Sequence, residues 1–116
     1  MNIPNKLYHA TRMKNILSIM ARGLEPRGAD HLIYFADTFG GASFFAYMHG
    51  VPIDEIIVVE VDTTNLPKEL FDYGGDHNPM FFKDIEVYTF PSVITEEHIS
   101  DYLKIDIDSL DKNLFR

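Results

Sequence analysis

The sequence predicts an α+β fold in one domain, with short helices set beside a small, mostly antiparallel sheet. Three observations predict it. Apolar patterns run in the order β-α-β-α and then mainly β. The stretch from Glu55 to Asp62 is almost continuously β-branched, the mark of a strand buried on both faces. At 116 residues and 46% hydrophobic, with nine Phe, six Tyr and no Trp, the chain holds one core of ordinary size and no second domain.

Lys6 to His9 reads as a short first strand. Thr11 then caps a helix in which Met13, Ile16, Leu17 and Met20 recur at the spacing of one buried stripe, and Gly23 stops it. Pro26 keeps Leu24 to Gly28 in a loop. His31 to Ala36 is apolar and β-prone, a second strand, after which Asp37 or Thr38 caps a helix over about Phe39 to His49 that ends at Gly50 and Pro52. Gly40 and Gly41 near its start allow close approach of backbone or ligand. Glu55 to Asp62 is the third strand, expected at the centre of the sheet. A turn at Thr63 to Pro67 follows, then a short strand within Leu70 to Tyr73 and a loop from Gly74. Ile85 to Phe90 alternates as a strand. A single helical turn after Thr95 and a last strand near Tyr102 to Ile107 complete the order, and Asp108 to Arg116 is a helical or frayed tail.

Composition excludes several classes. With no cysteine there is no disulfide framework and no thiolate metal site, which suits a reducing, cytoplasmic setting. No apolar run approaches the roughly 20 residues that span a bilayer, so no membrane partner is expected. Eighteen acidic against ten basic side chains give a net charge of -8, a field that repels phosphate backbones and makes non-specific nucleic-acid binding unfavourable. Arg12, Lys14, Arg22 and Arg27 nevertheless form a basic cluster early in the chain. The five histidines lack H-x-x-x-H or H-E-x-x-H spacing, so no metal site is read from them. Nucleophile-elbow, phosphate-loop and dinucleotide-fingerprint motifs are absent.

What remains is a distributed set: His9, Tyr34 and a carboxylate on a later strand. Taken singly, a strand histidine is more often structural, a strand tyrosine is more often core, and a glutamate at a strand start is more often a solvated edge residue. Their order carries more. Leu7-Tyr8-His9-Ala10-Thr11, then Ile16 and Ile19 ahead of Gly23-Leu24-Glu25-Pro26, then Ile33-Tyr34-Phe35-Ala36-Asp37, then Ala42, Phe45 and Ala46, then Ile56 to Asp62, resembles the NAD-dependent ADP-ribosyltransferase superfamily. The likeness is to small members of its His-Tyr-Glu branch, which also holds the diphtheria-toxin-like and poly-ADP-ribose polymerase catalytic domains. The strand-helix-Gly-Leu-x-Pro opening is shared with the RNA 2′-phosphotransferases. The resemblance spans roughly residues 6 to 107. It implies an ADP-ribosyltransferase-like fold with a split sheet.

That family places its catalytic glutamate at the start of a late strand, often after an acid two residues earlier, ahead of an I-x-x-E-x-I turn. Asp84-Ile85-Glu86-Val87-Tyr88 followed by Val93-Ile94-Thr95-Glu96-Glu97-His98-Ile99 matches. Period-two alternation puts Asp84 and Glu86 on one face, with Ile85 and Val87 on the other.

The resemblance implies NAD as co-substrate and Glu86 as the group stabilising an oxocarbenium-like ribose as nicotinamide departs. It implies that His9, with the adjacent Ala10 and Thr11, holds the dinucleotide at the adenine-side ribose, and that Tyr34 stacks on nicotinamide. Ala10 replaces the family's usual glycine, whose backbone reads the nicotinamide amide, a contact alanine permits at negative φ. Tyr47, or alternatively Phe45, is the second aromatic. The loop from Gly74 to Lys83 sits where the family's acceptor-recognising loop precedes the glutamate, making Asp76, His77, Phe81 and Phe82 acceptor contacts with Asp84 beside them.

The expected activity is transfer of ADP-ribose to a protein or nucleic-acid acceptor, in a toxin or a phage or bacterial effector whose partners include an antitoxin or host target. The alternatives are a non-catalytic nucleotide- or ADP-ribose-binding module of the same fold and an RNA 2′-phosphotransferase relative. Ten basic residues equip the chain poorly for the last.

Overall fold

In the computed structural model of the protein, residues 2–74 and 85–105 are described. Six strands make one antiparallel sheet: β1 (Lys6–Arg12), β2 (Ile33–Ala36), β3 (Ile56–Asp62), β4 (Asp72–Tyr73), β5 (Val87–Phe90) and β6 (Ile99–Lys104). The spatial order is β4-β5-β2-β1-β3-β6. Two helices, α1 (Ile16–Arg22) and α2 (Phe39–Met48), interrupt the first three strands, so the small α+β class expected from the element order holds. No helix among the described residues is long and apolar enough to cross a membrane.

The sheet is divided in its middle. β1 pairs with β3 along its whole length, from Lys6↔Asp62 to Arg12↔Ile56, but it meets β2 at a single pair, Tyr8↔Ala36. β2 in turn pairs with β5 from Ile33↔Phe90 to Ala36↔Val87. Two three-stranded halves, β4-β5-β2 and β1-β3-β6, therefore join at one bridge. Alternation along the strands gives each face its own core. Leu7, Phe35, Val59, Val61, Tyr88 and Phe90 pack with Ile19 of α1 and with Leu24 and Ile94 on one face. Ala36, Ile56 and Val58 pack with Ala42 and Ala46 of α2 and with Ile105 on the other.

Several local expectations change. Thr11 does not cap a helix: β1 continues to Arg12 because β3 supplies partners that far, and a 3-10 turn over Met13–Asn15 intervenes before α1. That turn shifts the helical phase, so of the stripe read through Met13, Ile16, Leu17 and Met20 only Met13 and Ile16 are half-buried and the other two face outward. Leu17 is 78% and Met20 48% exposed, whereas Ile19 is buried. His31 lies in a turn with φ 56, so β2 starts at Ile33 instead. β3 is interior, between β1 and β6, but the middle of the sheet is the β2–β1 seam. β6 begins at Ile99, earlier than its apolar residues suggest, because Ile99 pairs with Val61 past a register shift at Glu60/Val61. Residues 108–116, read as a tail, lie outside the described residues.

Thr38 is the cap of α2, its hydroxyl accepting from the Gly41 N–H at 2.9 Å. Gly23, with φ 78, ends α1 and donates its N–H to Ile19 O at 2.7 Å. A Cβ at Gly23 would stand 2.2 Å from Ile94 O, so only glycine permits the Leu24↔Ile94 bridge that ties α1 to the strand region beyond β5. Gly41 plays the matching part for α2. A Cβ there would come within 2.9 Å of both Ile85 Cγ2 and Thr38 Oγ1, so the glycine lets the helix start seat against the residue before Glu86.

Candidate active site

Where β1 and β2 diverge, a cavity of about 330 Å³ opens, lined by Tyr8, His9 and Ala10 of β1, Tyr34, Phe35 and Ala36 of β2, Ala42 and Phe45 of α2, and Val87 of β5. Its walls are largely aromatic and aliphatic. His9 crosses the seam: Nδ1 donates to the main-chain O of Tyr34 at 2.8 Å, and its ring meets Phe35 edge-on at 5.9 Å and 64°. Burial pushes the His9 pKa below the usual histidine value, against a smaller upward effect of that hydrogen bond, so the ring is neutral at pH 7. The Tyr34 hydroxyl donates to Asp30, and this bond to a carboxylate pushes the phenol up from its ordinary pKa.

A second cavity, of about 340 Å³, lies along the other end of β1, lined by His9, Thr11, Asn15, Ser18, Ile19, Gly23, Leu24, Glu25 and Arg27. Its walls are mostly polar. Thr11 Oγ1 accepts from Asn15 Nδ2 at 2.9 Å. Arg27 Nη2 pairs with Glu25 at 2.9 Å, and Arg22 Nη2 donates to Ser18 Oγ at 2.8 Å. The Arg27 guanidinium holds the Glu25 carboxyl below its usual range. His9 is the residue common to both cavities.

Glu86 directly precedes β5 and is exposed. It lines neither cavity, although its neighbour Val87 lines the first. Its main chain is fixed by Asp37: Asp37 N–H donates to Glu86 O at 3.0 Å and Glu86 N–H to Asp37 Oδ1 at 3.2 Å. Its side chain accepts a 2.8 Å hydrogen bond from the Tyr88 hydroxyl. Alternation holds as read from the sequence: Ile85 packs on the α2 side, while Glu86 turns to the face of Tyr88 and Phe35. His9, through its contact with Phe35, shares that face with Glu86. The Tyr34 side chain starts from the opposite one, since it alternates with Phe35.

The sequence-derived set is thus partly assembled. His9, Ala10 and Tyr34 line one cavity and Thr11 the adjoining one, and Ala10 has a negative φ, since His31 is the non-glycine residue of positive φ among those described. Phe45 reaches the seam cavity and stacks on His49 at 4.3 Å, whereas Tyr47 is 41% exposed and outside that lining. Asp76, His77, Phe81, Phe82 and Asp84 lie outside the described residues. Sequence reasoning passed over Asp30, Asn15, Ser18 and Tyr88. For Tyr88 a signal existed, its place two residues after Glu86 on the same strand face. Asp30, in an irregular turn, offered none.

These features define a small α+β domain with a divided antiparallel sheet, one cavity at the division and a second beside it along β1. The chain matches no protein-family model and no curated protein.

Proposed function

We propose that this chain is an NAD-dependent mono-ADP-ribosyltransferase with an ADP-ribosyltransferase-like split-sheet fold. The observation that carries the reading is the pair of cavities meeting at His9, one aromatic and one polar. A ligand reaching into both would be bipartite, with a planar apolar end and a polar, anionic end. NAD has that form. Nicotinamide would stack in the seam cavity against Tyr34 and Phe45, and the ribose-phosphate portion would pass His9 toward Thr11, Asn15 and Arg27.

The reaction asks for little covalent chemistry from the protein. The C1′–N bond breaks, nicotinamide leaves with the electron pair, and positive charge develops on the ribose. A nucleophilic O or N of the acceptor then bonds C1′ and gives up its proton. Glu86 would stabilise the developing charge, and Asp84 with the loop residues Asp76, His77 and Phe81 would meet the acceptor.

Nicotinamide release from labelled NAD by wild type and by Glu86→Ala tests this. Turnover in wild type, lowered by about 10³-fold in the variant while NAD still binds, is the expected result. No NAD consumption with any acceptor tested sinks the reading. One observation favours a second reading, a nucleotide-binding module without turnover: Glu86 is exposed and outside both cavities. A module of that kind would bind NAD in a manner dependent on His9 and Tyr34 and release no nicotinamide.

A further inference from the structure

We propose that Tyr88 is the positioning residue for Glu86, fixing the direction of its carboxylate; this rests on the transferase reading for its functional consequence but not for its geometry. A glutamate on an exposed strand start ordinarily samples several rotamers, and ordering it costs free energy that surface contacts seldom return. Glu86 is held at both ends instead. Asp37 clamps its main chain through two hydrogen bonds, of 3.0 and 3.2 Å, and the Tyr88 hydroxyl reaches its Oε2 at 2.8 Å.

The donor is rigid because its ring is. Tyr88 is 4% exposed, sits opposite Phe35 in the β2–β5 ladder, and meets the ring of Tyr73 edge-on at 5.7 Å and 70°. Packing alone would be met by phenylalanine, so the hydroxyl is the part of this side chain that the core does not ask for. Burial and the neighbouring Glu86 and Asp37 carboxylates push its pKa to about 12, so it remains a donor at neutral pH. A buried ring thus carries one fixed hydrogen-bond donor to the surface, where it aims a carboxylate that the strand alone would leave free.

The test is Tyr88→Phe, which keeps the ring and removes only the donor. Side-chain ¹³C relaxation of Glu86 is read first, because it needs no activity. Glu86 is expected to be ordered in wild type and mobile in the variant; equal mobility in both overturns the proposal. Steady-state nicotinamide release is read second. With a charge-assisted bond at stake, kcat is expected to fall by about tenfold or more with KM for NAD within about twofold of wild type. An unchanged kcat overturns the proposal, as does a loss confined to KM or explained by a collapsed thermal transition, either of which marks a merely structural hydroxyl. Should wild type release no nicotinamide while Glu86 order still depends on Tyr88, the transferase reading fails and the geometric assignment stands.

Discussion

The two edges of β1 are built on different terms. Toward β3 the strand pairs over seven residues and backs onto side chains of zero exposure, among them Leu7, Val58 and Val59. Toward β2 it has one pair, and side chains do the remaining work: the His9–Tyr34 hydrogen bond, the His9–Phe35 contact and the aromatic lining of a cavity. A full ladder satisfies every backbone group and leaves no room for a ligand. A seam held by side chains leaves backbone edges and ring faces available. The same strand thus serves as scaffold on one side and as the wall of a cavity on the other.

Breaking the scaffold side should cost most. Leu7→Ala empties a fully buried site in the core beside the ladder and is expected to lower stability by about 3–4 kcal/mol in denaturant unfolding. At the seam, Gly41→Ala forces a methyl against Ile85 and against the cap hydroxyl of Thr38; a loss of about 1–2 kcal/mol is expected, with the α2 start and the Ile85–Glu86 segment moved apart. His9→Gln should cost only about 1 kcal/mol in stability, yet weaken NAD binding by at least about tenfold, because it removes the ring that both cavities share. A stability loss as large as that of Leu7→Ala would mean that the seam is scaffold as well.

The smallest effect is in pH. The His9 pKa is lowered in the fold, so between that lowered value and the ordinary ~6.5 the unfolded chain binds the extra proton. Stability is therefore complete above about pH 6.5 and declines as pH falls toward the folded value, with a slope of at most about 1.4 kcal/mol per pH unit for one proton. Thermal melts of wild type and His9→Gln between pH 5.5 and 7.5 measure it; the variant should lose this component. Parallel curves would show that His9 is not the group titrating there.

Much of the scaffold side was legible. Ile56 to Asp62 announces a doubly buried strand through its β-branched run, and Thr38 and Gly50 bracket α2 by their cap chemistry. The seam side was less so, for physical reasons. Periodicity reports burial along one element, and α1 has only seven residues behind a 3-10 turn, too few for the phase of Leu17 and Met20 to be fixed by sequence spacing. Thr11 suits a helix cap as well as a strand, and the choice was made by β3, distant in sequence. His9, Tyr34 and Glu86 were singled out through their order. Their faces were not: that Tyr34 and Glu86 project to opposite sides follows from the β2–β5 register, which no local pattern encodes. Phe45 and Tyr47 sit two apart on a helix, and which one meets the cavity depends on the roll of α2 against β1.

The bond from His9 to Tyr34 has one further consequence. A main-chain carbonyl only accepts, so the imidazole must carry its hydrogen on Nδ1. In the neutral ring Nε2 is then a bare lone pair lying in the ring plane. Any ligand atom that meets it has to bring a hydrogen of its own: a sugar hydroxyl or an amide N–H is attracted, whereas an ether, carbonyl or phosphate oxygen sets lone pair against lone pair. Through the tautomer it fixes, a carbonyl on the neighbouring strand would thus set the polarity of any ligand atom that meets His9.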